Sequence, residues 1–270
     1  MSARNPASEA AIVPLSEHAA DLATTDGRVP GERGRQTRQR LLDATVELLT
    51  TTSWRSVKVT DIARQAQTSP ATFYQYFGNV EQAIRVLAEG MVDQAAQLAE
   101  LVGGDWSEEA SWETARAVTE SFLSYWEDNR AVFRVVDLAT EEGDAQLRGI
   151  RVRALNAVTV ALAQVIVAAS PSAGGPPGTV TASPAGTDPM AVAGSLVAMF
   201  ASVAAHRYGF EFWGIRTKNL VDTQARMLHW AVTGRPAPAA EIRPREATRP
   251  RTGPVLVGGL GSPVNPIALK

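Results

Sequence analysis

The stretch VTDIARQAQTSPATFYQYF, residues 59–77, decides the reading of this chain. Val59, Ile62, Ala63 and Ala66 recur at helical spacing and predict a short helix over 59–66. Gln67, Thr68 and Ser69 interrupt it. Ser69 followed by Pro70 is a helix start: the hydroxyl accepts an orphan amide, and proline has no amide to leave unpaired. A second short helix, PATFYQYF, then runs to Gly78. Two helices of about two turns joined by three polar residues form a helix-turn-helix.

Working outward, residues 35–51 place Leu41, Ala44 and Leu48 on one helical face, with Leu42 and Leu49 beside them. Trp54 is expected to plug the gap before the next helix. Asn79 with Gln82 three residues on makes a capping-box start for a long helix over 80–102. Further helices are expected at 107–128, 130–139, 144–169, 188–213 and 217–233, with a Pro/Gly/Ser-rich loop at 170–187. The fold class is all-α: an amino-terminal three-helix helix-turn-helix domain and a larger helical domain. The expected division is a disordered basic-ended arm at 1–34, the helix-turn-helix domain at 35–79, a second domain at 80–233 and a disordered tail at 234–270.

Composition narrows the function. All 17 aromatic residues lie between Trp54 and Trp230, so the core is expected there. The net charge of −2 hides an asymmetry: residues 28–64 hold eight basic and four acidic groups, while 65–233 hold 11 basic and 18 acidic. A basic front on an acidic body suits a polyanionic partner at the front, although scattered surface charge gives the same count. Cysteine is absent, which excludes disulfides, thiolate metal sites and cysteine nucleophiles. No signal peptide is visible in residues 1–27, so the cytoplasm is the expected compartment. The uncharged stretches 154–169 and 189–205 fall short of the ~20 residues that cross a bilayer, and no membrane partner is expected.

The recognition helix needs small residues at its entrance for close backbone approach; Ser69, Pro70, Ala71 and Thr72 supply them. Thr72, Gln75 and Tyr76 fall at i, i+3 and i+4 and share a polar face. A glutamine reaches an adenine edge with two hydrogen bonds, and a threonine suits a phosphate or a thymine methyl. Phe73 and Phe77 are expected in the core. Tyr74 and Tyr76 either meet DNA or pack beside those phenylalanines.

Taken together, LLDATVELL at 41–49, the 59–77 segment and Glu81-Gln82-Ala83 resemble the amino-terminal DNA-binding domain of the TetR family of bacterial transcriptional regulators. The resemblance implies a homodimeric, ligand-responsive regulator, most directly a repressor, bound to palindromic double-stranded operator DNA. Tyr74 resembles the family tyrosine that bonds a phosphate. The DNA-facing set is then Arg35, Arg38, Lys58, Thr60, Ser69, Ala71, Thr72, Tyr74, Gln75 and Tyr76. Two positions depart from the family pattern. Val80 stands where the family presents a lysine, and Val57-Lys58 where it favours threonine or serine; Lys58 is the candidate substitute charge.

The resemblance also implies a ligand cavity among the later helices and a homodimer through the last two. Trp112, Thr119, Phe122 and Trp126 recur on one helical face, with Phe133 on the next helix. They read either as the wall of an apolar effector site, with Asn156 as its polar contact, or as plain core. Ala191, Gly194, Ala198 and Ala201 would allow close approach of another helix. The segment HRYGFEFW at 206–213, with Leu220, Met227, Leu228 and Trp230, is the expected interface. No cofactor is implied. His206, His229 and Glu211 are too few for a metal site. An enzyme is the rival reading, but G-x-S-x-G and a glycine-rich phosphate loop are missing, and Glu141-Glu142 beside Gly143 reads as solvated. A scaffold that has lost DNA binding is the other rival, and Val80 is its best support.

Overall fold

A computed structural model describes residues 24–25, 29–169 and 187–238. The expectations for most of the arm, for most of the 170–187 loop and for the tail after 238 lie outside these described residues. Among them there is no strand, and ten helices follow one another: α1 (Glu32–Thr51), α2 (Val59–Gln65), α3 (Pro70–Tyr76), α4 (Val80–Val102), α5 (Ser111–Asp128), α6 (Arg130–Glu141), α7 (Ala145–Ala169), α8 (Pro189–Ala205), α9 (Arg207–Phe212) and α10 (Thr217–Thr233). Trp54–Ser56 form a 3-10 turn, and half-buried Trp54 packs against the core beneath it.

The local signals act as their chemistry dictates. Ser69 Oγ accepts the amide of Thr72 at 3.1 Å at the head of α3. Asn79 Oδ1 accepts the amide of Gln82 at 2.8 Å, and Gln82 Oε1 reaches back to the amide of Gly78 at 2.6 Å. Two orphan donors are thus satisfied reciprocally. Between α2 and α3, Gln67 takes the left-handed conformation at φ 54°. The amide of Thr68 bonds Ala63 O at 2.8 Å and that of Gln67 bonds Arg64 O at 3.1 Å. That is a Schellman ending with glutamine where glycine is usual, and it sets the angle of the turn.

Two apolar clusters form. The first joins Leu41, Leu42, Leu49, Ile62, Phe73, Phe77 and Ile84, and it also takes in Val135 from α6. The second fills the space among α4, α5, α6, α7, α8 and α10, from Met91 through Phe122, Phe133, Leu162 and Phe200 to Leu228. Helix α7 has 25 residues and is long and apolar enough to cross a membrane. Its Leu147, Ile150, Ala154, Val158, Leu162 and Ile166 are instead buried in the protein core.

The largest departures from the sequence reading are at three boundaries. Helix α1 starts at Glu32, three residues before 35, and so takes Arg33 out of the arm. Helix α5 starts at Ser111 rather than 107, because Asp105 Oδ1 accepts the amide of Ser107 and holds a turn there. The expected helix 188–213 is broken at His206, whose Nδ1 lies 2.9 Å from Ser202 O and whose backbone leaves helical geometry. Leu228 and Ala201, expected at a subunit interface, belong to the core.

His229 is buried on α10, with Nε2 3.1 Å from Ser111 Oγ and Nδ1 3.2 Å from Arg235 O. The tautomer with the proton on Nδ1 satisfies both partners. Burial and the nearby Arg235 and Arg226 hold the imidazole below its usual range. A folded-state value lower than the unfolded ~6.5 means that this contribution is complete above that pH and fades as pH falls beneath it. Thermal melts from pH 7.5 to 5.5 should show the drop, and His229→Asn should flatten it; a parallel slope in the variant would assign the loss to other groups.

Candidate DNA-binding face and candidate effector cavity

Helix α3 is held at one end by Ser69 and on its inner side by Phe73, which is fully buried. This leaves Ala71, Tyr74 and Gln75 exposed, with Thr72 half-exposed. Tyr74 is 53% exposed, although its ring meets that of Phe73 edge-on at 5.8 Å. It shares a surface hollow with Lys58, Thr60, Asn79 and Val80. The hollow therefore gathers a phenol, an ammonium, a hydroxyl and the amino-terminal end of α4, which suit phosphate oxygens, together with the Glu81 carboxylate, which opposes them. Val80 adds no charge there, and Lys58 is the cation beside it.

Other expected residues fall elsewhere. Arg38 is buried, only 3% exposed, with its guanidinium 5.3 Å above the centre of the Phe77 ring. Burial lowers its pKa, and the side chain is withdrawn from any DNA surface. Arg35 pairs with Glu32 at 2.8 Å and donates to Pro30 O at 3.2 Å. Tyr76 is half-buried against the α1 end of the core rather than presented with Gln75. Arg33 and Arg40 border a further hollow on α1 with Gln36, Thr37 and Gln39.

The expected effector wall is largely core. Phe122 and Phe133 are buried; Trp126 stacks on Phe133 at 3.9 Å between ring centres, and Phe122 lies 6.3 Å from Trp126. Thr119 is buried and donates to Ala115 O at 2.8 Å. Trp112 sits at the other end of α5 against His229 and beneath Arg226. Asn156 is exposed on α7. Of the six residues, Trp126 alone lines a neighbouring cavity among the described residues.

That cavity, of about 400 Å³, lies among α6, α7 and α8. Trp126, Leu155, Val197, Ala198, Ala201 and Ala205 give it apolar walls, and Thr159, Ser202 and His206 add polar atoms. Asp137 and Arg151 also line it, joined through Arg151 Nε at 2.6 Å. No sequence period marks this pair, because it joins two helices across a turn. Helix α6 ties the cavity to the helix-turn-helix: Asp137 faces the cavity, while Val135 belongs to the helix-turn-helix core. Arg134 donates to Leu49 O, and Arg55 pairs with Glu142 just past the end of α6.

Comparison with known proteins completes this account. The profile described as "Bacterial regulatory proteins, tetR family" matches residues 41–85. The profile described as "Tetracyclin repressor-like, C-terminal domain" matches residues 98–239, more than half the chain. The chain belongs to the TetR family. It is therefore a transcriptional regulator of the helix-turn-helix type. Among solved structures, this TetR-family chain is similar in fold to a protein from Mesorhizobium loti described as a TetR-family transcriptional regulator, with 16% identity, a TM-score of 0.51, and coverage of 76% of this chain and 98% of that one. It is also similar in fold to the fatty acid degradation regulator FadR from Bacillus halodurans, with 13% identity, a TM-score of 0.50, and coverage of 81% and 100%. No curated protein matches the chain. The family consists of DNA-binding regulators rather than enzymes, and the described residues hold no cluster of potential metal ligands.

Proposed function

We propose that this regulator is a cytoplasmic homodimeric repressor that reads palindromic operator DNA with α3 and is released by a small, mostly apolar effector. Residues 35–79 read the DNA, and residues 80–233 bind the effector and pair the subunits. The observation that carries this reading is the sharing of α6 between the cavity and the helix-turn-helix core. An effector wedged between α6 and α8 displaces Asp137, and Val135 on the same helix moves against Phe73 and Ile84. Two recognition helices must meet major grooves about 34–36 Å apart, so a small tilt of each head breaks the register. Only an effector that prefers the tilted state can do this. The Arg151–Asp137 pair receives its polar end, and the walls from Trp126 to Ala201 receive the rest.

Two mutational outcomes test the reading. Tyr74→Phe is expected to weaken binding to every duplex alike, whereas Gln75→Ala relaxes preference at one base pair per half-site by ~1–3 kcal/mol. An unchanged preference profile for Gln75→Ala, in selection from random DNA, would remove Gln75 from base reading. In the cavity, a side chain at Gly194 meets open space. Gly194→Leu fills it and removes a mid-helix glycine, which stabilises a helix by up to about 1 kcal/mol. The variant should melt no lower than the parent, bind operator normally and resist release by apolar compounds. Effector occupancy should also quench Trp126 fluorescence in the parent; release of the Gly194→Leu variant at parental concentrations would place the effector elsewhere.

A further inference from the structure

The last turn of any helix leaves carbonyls without partners inside the helix, and α3 has only seven residues. A residue from before α1 meets them. The backbone amide of Thr25 donates to Gln75 O at 3.0 Å. Its hydroxyl lies 3.0 Å from Tyr74 O and 3.2 Å from Gln75 O, so one proton is shared between the two. Pro30, just before α1, is buried. Pro30 packs closely on the start of α1: a Cβ on Gly34 would stand 2.8 Å from Pro30 Cβ and 3.3 Å from the Tyr76 hydroxyl. Thr25, Pro30 and Gly34 thus border one hollow together with Ala71, Tyr74, Gln75 and Tyr76.

We propose that Thr25 is a positioning residue for DNA reading: it caps the carboxy-terminal end of α3 and so fixes where Tyr74 and Gln75 stand. Ser69 holds one end of the helix and Thr25 the other. The carbonyls that Thr25 engages belong to the very residues whose side chains face outward, so their backbone cannot shift without breaking this cap. The inference rests on the DNA-reading role of α3 proposed above, but it assigns a specificity function to a threonine 49 and 50 residues away in the sequence.

The test uses the full chain and two probes: the duplex that the wild-type protein itself enriches from a random-sequence pool, and an unrelated duplex. Thr25→Ser keeps both donors and should bind like the parent. Thr25→Val removes the hydroxyl alone and should weaken binding to the enriched duplex by about three- to ten-fold, the scale of one net hydrogen bond, with a smaller loss on the unrelated duplex, where Tyr74 is displaced but Gln75 reads no preferred base. Thr25→Pro removes both donors and should lose more. Gly34→Ala forces Pro30 aside and should reproduce the Thr25→Val loss. Melting temperatures should stay level for the Thr25 variants, because the residue is exposed. Equal affinity and preference for Thr25→Val and the parent, or equal losses on both duplexes, would overturn the proposal. Failure of the wild-type chain to enrich any duplex would instead overturn the DNA-reading role, and the positioning role with it.

Discussion

Phe133→Ala is expected to lower the free energy of unfolding by about 3–5 kcal/mol, the usual cost of truncating a buried phenylalanine. The ring is 1% exposed, stacks on Trp126 and meets Tyr125 edge-on at 5.5 Å. Truncation leaves Trp126 without its stacking face and opens a void under the hydroxyl that ties Tyr125 to Met91 O at 3.0 Å. Stabilities of ordinary domains are only about 5–15 kcal/mol, so the variant should unfold at much lower urea. A loss under 1 kcal/mol would mean that the ring borders empty space, and the aromatic stripe would regain its reading as an effector wall. The urea midpoint decides between the two.

The second large effect belongs to the subunit interface. Trp230 is 55% exposed on α10, and Met227, Tyr208, Phe212, Trp213 and Met190 are likewise exposed on or beside α8, α9 and α10. Single exposed apolar residues are ordinary; six of them on or beside the last three helices support the proposed interface there. Helix α8 turns Ala191 and Ser195 outward, away from the cavity lining, small side chains that let another helix come close. Trp230→Glu buries a charge at the centre of the proposed interface. Truncation of a central interface tryptophan costs about 2 kcal/mol or more, so at least a thirty-fold rise in the dimer dissociation constant is expected. Sedimentation velocity at micromolar concentration should show monomers, and binding to a palindromic duplex should collapse with it. A variant that stays dimeric would move the interface away from α10.

What the sequence revealed and what it concealed have a physical basis. Ser69-Pro70 and Asn79 with Gln82 are local signals: each is one side chain meeting an amide three residues away, and each works as its spacing implies. The apolar period of 41–49 names its buried face for the same reason. Arg38 was misplaced because nothing local distinguishes a solvated arginine from one lying over Phe77, 39 positions on. The aromatic stripe of α5 was legible as a face, but not as core or cavity wall, since that depends on whether Phe133 and Phe200 fill the space opposite. The cavity escaped because its polar pair, Asp137 and Arg151, comes from two helices whose juxtaposition only the fold supplies. Thr25 gives no sequence signal at all: its partners are backbone carbonyls.

The central claim is that α3 reads a specific palindrome as one half of a dimer. Footprinting of the full-length protein on genomic DNA tests it most directly. The expected result is a small set of protected sites sharing a two-fold-symmetric sequence, with half-site centres about one helical turn, 10–10.5 base pairs, or a multiple of it apart, and with protection weakened in Tyr74→Phe and lost in Trp230→Glu. Uniform, salt-sensitive coverage with no shared sequence, or protected sites without two-fold symmetry, would contradict it.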